Sequence, residues 1–149
     1  MKSKAPLSFL AKRRNLGLLV MRVGLGAMFL THGLPKVMGG PEAWAKYGHA
    51  MSAFGIDFAP AFWGLMAGLS ESCGGLCLIL GLVVRPAAIF LISTMFVAAS
   101  SHLLLRGQSL GQAAHAIEDL FAFVGLLFVG PGRYSLDHRL FGGEELDDA

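Results

Sequence analysis

Six ionisable side chains interrupt the apolar stretches of this chain: Arg22, His32, Glu71, His102, Glu118 and Asp119. Imidazoles titrate near neutral pH, and a carboxyl in a medium of low dielectric holds its proton more tightly than in water. Together such groups can bind the polar head of an amphiphile such as a quinone and exchange protons with it. A charge at bilayer depth costs about 2.5–3.5 kcal/mol on insertion scales, so it persists where it faces another polar group or a wet cavity. The bland alternative is a satisfied polar network that only holds helices together. That alternative fits best for Arg22, whose long side chain can reach an interface, and for Asp119, which lies close to one. It fits least for Glu71, which has no interface nearby.

Four apolar runs carry these residues: Leu16–Val37, Phe58–Val84, Pro86–Leu105 and Gly111–Val129. Each is close to the roughly 20 residues that a helix needs to cross the hydrocarbon core. Of the 149 residues 54% are hydrophobic and 15% charged, against about 25% charged in ordinary soluble domains. The expectation is an all-α membrane protein with four transmembrane helices in one bundle. A soluble four-helix bundle is the alternative, and the span lengths argue against it. Lys12, Arg13 and Arg14 precede the first run as they would in a signal peptide. That run is too long for one and continues into His32 and Lys36, so it reads as a retained anchor.

Lys and Arg outside the spans set the orientation. With the N-terminus inside, Lys2, Lys4, Lys12, Arg13, Arg14, Arg85, Arg133 and Arg139 are cytoplasmic, against Lys36, Lys46 and Arg106 outside. Both termini are therefore expected in the cytoplasm, and the small net charge of +2 reflects topology rather than nucleic-acid binding. Residues 1–15 read as a basic cytoplasmic leader, 16–140 as the membrane domain and 141–149 as an acidic cytoplasmic tail. The loop Met38–Asp57 is the longest, and its Pro41, Trp44 and Tyr47, with nearby Trp63, suit an interfacial segment with a short amphipathic helix. Arg85 and Pro86 mark a tight second turn. Gly130-Pro131-Gly132 breaks the fourth helix.

Small residues mark the buried faces. Gly64, Gly68, Glu71 and Gly75 form one stripe of the second span, and Gly26 and Gly33 one of the first. Thr94, Ala98, Ser101 and His102 form a comparable face on the third span, and Glu118, Ala122 and Gly125 on the fourth. Helical side chains lean toward their own N-terminus. His32 and His102 then lean inward from the outer ends of their helices, while Glu71 and Glu118 lean outward to meet them. The expected outcome is an outer-half cluster of His32, Glu71, His102 and Glu118, with Lys36 one turn beyond His32.

Other chemistries fit less well. His32 and His102 could ligate a haem between them. Two histidines and a carboxylate could hold a metal ion, but no H-x-x-H or E-x-x-H spacing supports it, so no metal ligand is assigned. Cys73 and Cys77 are one turn apart, an unfavourable direction for a disulfide within a helix, and read as small buried packing residues. His49, His115 and His138 lie in or near loops and read as solvated. No phosphate loop, nucleophile elbow or Cys-x-x-Cys motif occurs.

The segment from Arg22 to Lys36, RVGLGAMFLTHGLPK, resembles the first-helix signature of the DoxX family. Glu71, Gly74–Leu82 and Arg85 are similar to a second element of it, and Gly130–Asp137 (GPGRYSLD) resembles its C-terminal motif. The match runs from about Leu16 to Leu140. The resemblance implies a small four-helix protein of the bacterial inner membrane. One branch, DoxD, is a subunit of a thiosulfate:quinone oxidoreductase, and other members are linked to sulfur metabolism and oxidant defence. This chain shows no soluble catalytic domain and no obvious sulfur-handling thiol.

The resulting expectation is a redox-associated membrane subunit with a pocket for a quinone-like amphiphile. His32, Lys36, Glu71 and Arg22 form the ligand-binding set, Arg22 also serving as an anchor, and His102 or Glu118 exchanges protons. Expected partners are the lipid bilayer, a second copy of the chain and a soluble redox protein. The rivals are a non-enzymatic scaffold that binds a partner and a proton-coupled carrier of small solutes.

Overall fold

The computed structural model describes residues 12–142. Residues 1–11 of the expected leader and 143–149 of the expected tail lie outside the described residues. In chain order the elements are α1 (Arg14–Met38), α2 (Gly40–Gly48), a 3-10 helix (His49–Phe54), α3 (Pro60–Leu80) and α4 (Val84–Ser100). A π-helical turn (Ser101–Leu105) extends α4, and α5 (Leu110–Val129) and α6 (Leu136–Phe141) follow. Helices α1, α3, α4 with its π turn, and α5 are long and apolar enough to cross a membrane, as the four apolar runs require.

Local chemistry sets the helix ends. At the start of α5, Gln112 Oε1 accepts from the Ser109 backbone N–H at 3.1 Å, half of a capping box. The helix stops at Gly130, whose φ of +81° ends the helical path, as the Gly-Pro-Gly sequence requires. The turn between α3 and α4 sits earlier than Arg85-Pro86 indicates. It is made by Gly81, with φ +69°, through Val83. Pro86 falls inside the first turn of α4, where a missing N–H leaves no bond unmade.

Packing follows the small residues on α1 and α3. A Cβ on Gly26 would come within 2.5 Å of the Gly75 carbonyl oxygen, and one on Gly75 within 2.7 Å of the Gly26 carbonyl oxygen. These two backbones touch because neither residue carries a side chain. On the other side, α4 packs along α5 through Leu91, Met95, Ala99, Ala116, Phe123 and Leu126. The Phe29 ring meets Phe123 edge-on at 4.8 Å, joining α1 to α5 and closing the bundle. The inward face of α5 is thus the Ala113, Ala116, Phe123 and Leu126 stripe. Glu118 and Gly125, expected to face inward, stand exposed on the outer flank. The reason is geometric: Glu118 lies two residues, about 200° around the helix, from buried Ala116.

At the end of the bundle that carries both described termini, the segment after α5 locks the helices together. Arg22, 0% exposed, donates through Nη1 to the Leu78 carbonyl at 3.2 Å and through Nη2 to the Tyr134 carbonyl. Asp137 accepts from the backbone N–H groups of Val83 (2.6 Å) and Val84 (2.9 Å), capping α4 from a distant part of the chain. Arg22 therefore does not reach for the interface. It spends its donors on the backbone of α3 and of the C-terminal motif.

Candidate functional site

Between α3 and α4 the bundle opens into a groove of about 1060 Å³. Phe62, Met66, Ala67, Ala87, Phe90 and Val97 supply its apolar walls. From mid-depth toward the end remote from the described termini its polar groups gather: Glu71 with Lys36, then His102, Lys46 and Arg106, with Tyr47 and Trp63. The volume is at the upper end of small-molecule sites, and an apolar channel with a few convergent polar groups is their usual make-up.

Lys36 and Glu71 form the centre of that polar set. Lys36 Nζ donates to Glu71 Oε1 at 2.6 Å, and the Glu71 side chain is only 3% exposed. Glu71 reaches this place because it shares its face of α3 with Gly64, Gly68 and Gly75, all buried. Lys36 comes from the last turn of α1, and its ammonium lies 5.2 Å from the centre of the Tyr47 ring. The helix that carries Tyr47 is held in place by Trp44, whose indole N–H lies 2.9 Å from the Lys36 carbonyl and 3.0 Å from that of Val37. A Cβ on Gly64 would meet the Trp44 carbonyl oxygen at 1.8 Å, so α2 rests directly on the α3 backbone. The loop expected to be interfacial does contain a helix, and that helix roofs the groove.

Among the groove-lining residues, Glu71 Oε2 and Trp63 Nε1 are buried with no hydrogen-bond partner. A buried polar group left unmatched costs about 1–3 kcal/mol, more when charged. Such atoms in a cavity wall are the natural contacts of a ligand. Level with Glu71 on the α4 wall, the Thr94 hydroxyl lies 2.9 Å from Ser70 Oγ, tying α4 to α3. His102 sits in the π turn, half-buried, with Nδ1 within hydrogen-bond reach of Gln108 Oε1. π-Helical turns of this kind occur often at functional sites.

The six expected residues therefore divide. Lys36, Glu71 and His102 line the groove. His32 does not join them: it is exposed, with Nδ1 2.8 Å from the carbonyl of Met28 in its own helix. It falls on the flank shared by α1 and α5, on the side of His115, Glu118 and Asp119. There His115 Nε2 lies 3.6 Å from Asp119 Oδ2, and the Asp119 side chain is 14% exposed. Arg22 is at the opposite end of the bundle, in the clamp described above.

Other groove residues carry no signal of it in the sequence. By type and position Tyr47 and Trp63 are interfacial aromatics, and Lys46 and Arg106 are loop charges. Cys73 and Cys77 are free thiols that both line the groove, Cys73 exposed and Cys77 half-buried, rather than buried packing residues. His138 is half-buried, with Nδ1 shielded and unpartnered, instead of solvated. Among the described residues no group of three His, Cys, Asp or Glu side chains is placed to hold a metal ion.

Comparison with known proteins agrees with this architecture. The family described as DoxX matches residues 17–104, which include α1 through α4 and the Lys36–Glu71 pair. An uncharacterized membrane protein of Mycobacterium tuberculosis, Rv3486, is 33% identical over 136 residues, 80% of this chain and 78% of that protein. No solved structure matches the chain. With four membrane-length helices and these matches, the chain is a multi-pass membrane protein that belongs to the DoxX family.

Proposed function

We propose that this protein is an inner-membrane subunit that holds a quinone-like amphiphile in the groove between α3 and α4, in the service of a redox partner. One observation carries the reading: a largely apolar groove of about 1060 Å³ is lined at mid-depth by the Lys36–Glu71 pair, whose buried Glu71 has an unmatched carboxylate oxygen. An isoprenoid or alkyl tail suits the Ala87 and Phe90 walls on the side of the described termini, and the ring suits the polar groups between Glu71 and His102. Lys36 and Glu71 would hold the ring oxygens, and a bound quinone would supply two-electron, two-proton redox chemistry. His102 is the group for proton exchange, because it borders the groove and is tethered by Gln108. Glu118, its rival for that role, is on the other flank. The link to sulfur and oxidant metabolism, and to a soluble redox protein, rests on the family resemblance. Extraction of lipids from protein purified in mild detergent, followed by mass spectrometry, tests the reading. It expects quinone in near-stoichiometric amount; no retained quinone and no saturable binding of a short-chain analogue would overturn it.

A second reading, a scaffold that docks a partner, is favoured by the α1–α5 flank. Glu118 is exposed there at about 12 Å of helix rise from the start of α5, a depth at which lipid is a poor neighbour. Covering that flank with a second copy of the chain would remove the acid from lipid. If Glu118→Leu leaves the oligomeric state unchanged in native mass spectrometry, while the wild-type protein is a monomer, this reading fails.

A further inference from the structure

The polar part of the groove says more about its occupant than that it is amphiphilic. Glu71 is 2% exposed, and its two oxygens are unequal: Oε1 receives Lys36 Nζ at 2.6 Å, and Oε2 receives nothing. A carboxylate in an ion pair only accepts hydrogen bonds. The missing partner of Oε2 must therefore be a donor. The next residue on α3, Ser72, does not fill the role, because its own Oγ is buried and unpartnered as well. Lys36 has three N–H groups, of which one goes to Glu71 and the ammonium sits over the Tyr47 ring. It thus offers a further donor beside the unmatched acceptor, which a turn of the carboxyl about its soft last torsion presents to the groove that Glu71 lines. One chemical group answers both at once: a hydroxyl, donating to Glu71 Oε2 and accepting from Lys36 Nζ.

We infer that the groove selects a head group carrying its own hydroxyl, so that among quinone-like amphiphiles it takes the reduced hydroquinone in preference to the oxidised quinone. This rests on the proposed amphiphile site and adds its preferred redox state. An oxidised ring presents only carbonyl acceptors. It can receive from Lys36 but leaves Glu71 Oε2 facing another acceptor, and specificity of this kind is large because the buried group of the protein is left unpaired. A hydrogen bond to a charged acceptor corresponds to about a tenfold or larger difference in affinity. Tight holding of the hydroquinone also places the chain in a reaction sequence: it either receives reduced quinone from a step that donates electrons or presents it to one that removes them.

The test is anaerobic calorimetric titration of the full chain in nanodiscs with three probes. They are a decyl-substituted benzoquinone, its hydroquinone, and dodecanol, a hydroxyl amphiphile without a ring. The expected result is hydroquinone binding about tenfold or more tighter than benzoquinone, with dodecanol weaker than the hydroquinone. In Glu71→Gln the amide can turn a donor to a carbonyl, and the two ring forms come within about twofold of each other. Because a lone Lys36 could disturb folding, the double variant Lys36→Gln/Glu71→Gln, which leaves no unpaired charge, is measured beside it and is expected to lose the preference too. Equal affinity of both ring forms in the wild-type protein would overturn the inference and leave the amphiphile groove standing. Dodecanol binding as tightly as the hydroquinone would overturn the assignment to a quinol. Absence of binding by any of the three would overturn the proposed function itself.

Discussion

Lys36 and Glu71, 35 residues apart in sequence, meet at 2.6 Å as an ion pair within a bundle of membrane-length helices. Each charge is tolerable there because of the other. Glu71 is the buried member, 3% exposed against 24% for Lys36; stranding a buried charge usually costs about 3–5 kcal/mol, whereas replacing both partners by apolar groups of similar size is often close to neutral. Lys36→Met is therefore expected to destabilise strongly, and Lys36→Met/Glu71→Leu to recover most of the loss. Thermal unfolding of the detergent-solubilised protein reads both. A double variant no more stable than the single one would mean that the pair is not the source of the loss.

The Arg22 clamp should be independent of the groove. Arg22→Ala leaves the Leu78 and Tyr134 carbonyls without their donor and empties a fully buried site, at an expected cost of about 3 kcal/mol or more. Arg22→Lys should restore only part of it, since one ammonium cannot reproduce the two-armed fork. Gly81→Ala should mimic the loss, because its Cβ would lie 2.0 Å from Arg22 Nη1 at a φ of +69°. Thermal unfolding again gives the measurement, and unchanged affinity for a quinone analogue in the folded fraction separates clamp from site.

Val83 points the other way. Its φ is +45°, a left-handed conformation that β-branched residues avoid, and it is held there while Asp137 accepts from its N–H. Asn tolerates this region. Val83→Asn is expected to stabilise the protein by about 1 kcal/mol, seen as a higher unfolding temperature. A lower one would show that the Val83 side chain contributes more to packing than its backbone costs.

A plug tests the groove without removing any of the polar side chains that hold the ring. Ser93 is exposed on α4 and lines the groove. Ser93→Trp should fill the channel and weaken binding of a quinone analogue by at least about tenfold. Stability should stay within about 0.5 kcal/mol, as for other exposed positions. Full binding by this variant would place the ligand elsewhere.

The sequence by itself determined the four spans, the break after Val129 and the glycine stripes of α1 and α3, because hydrophobic length and small-residue spacing are properties of single helices. It also singled out Glu71 as the carboxyl with no interface to reach. Only the tertiary structure decided which group answers it. Successive residues point about 100° apart around a helix, so a small error in the facing of α1 exchanges Lys36 for His32, and one in α5 turns Glu118 out and Asp119 in. Such rotations depend on what each helix packs against: Gly75 and Ser72 for α1, Phe29 and the α4 stripe for α5. The roof of the groove was beyond sequence reading for the same reason. Tyr47 looks like an ordinary interfacial aromatic until Gly64 lets α2 settle on α3 and its ring comes to 5.2 Å from the Lys36 ammonium.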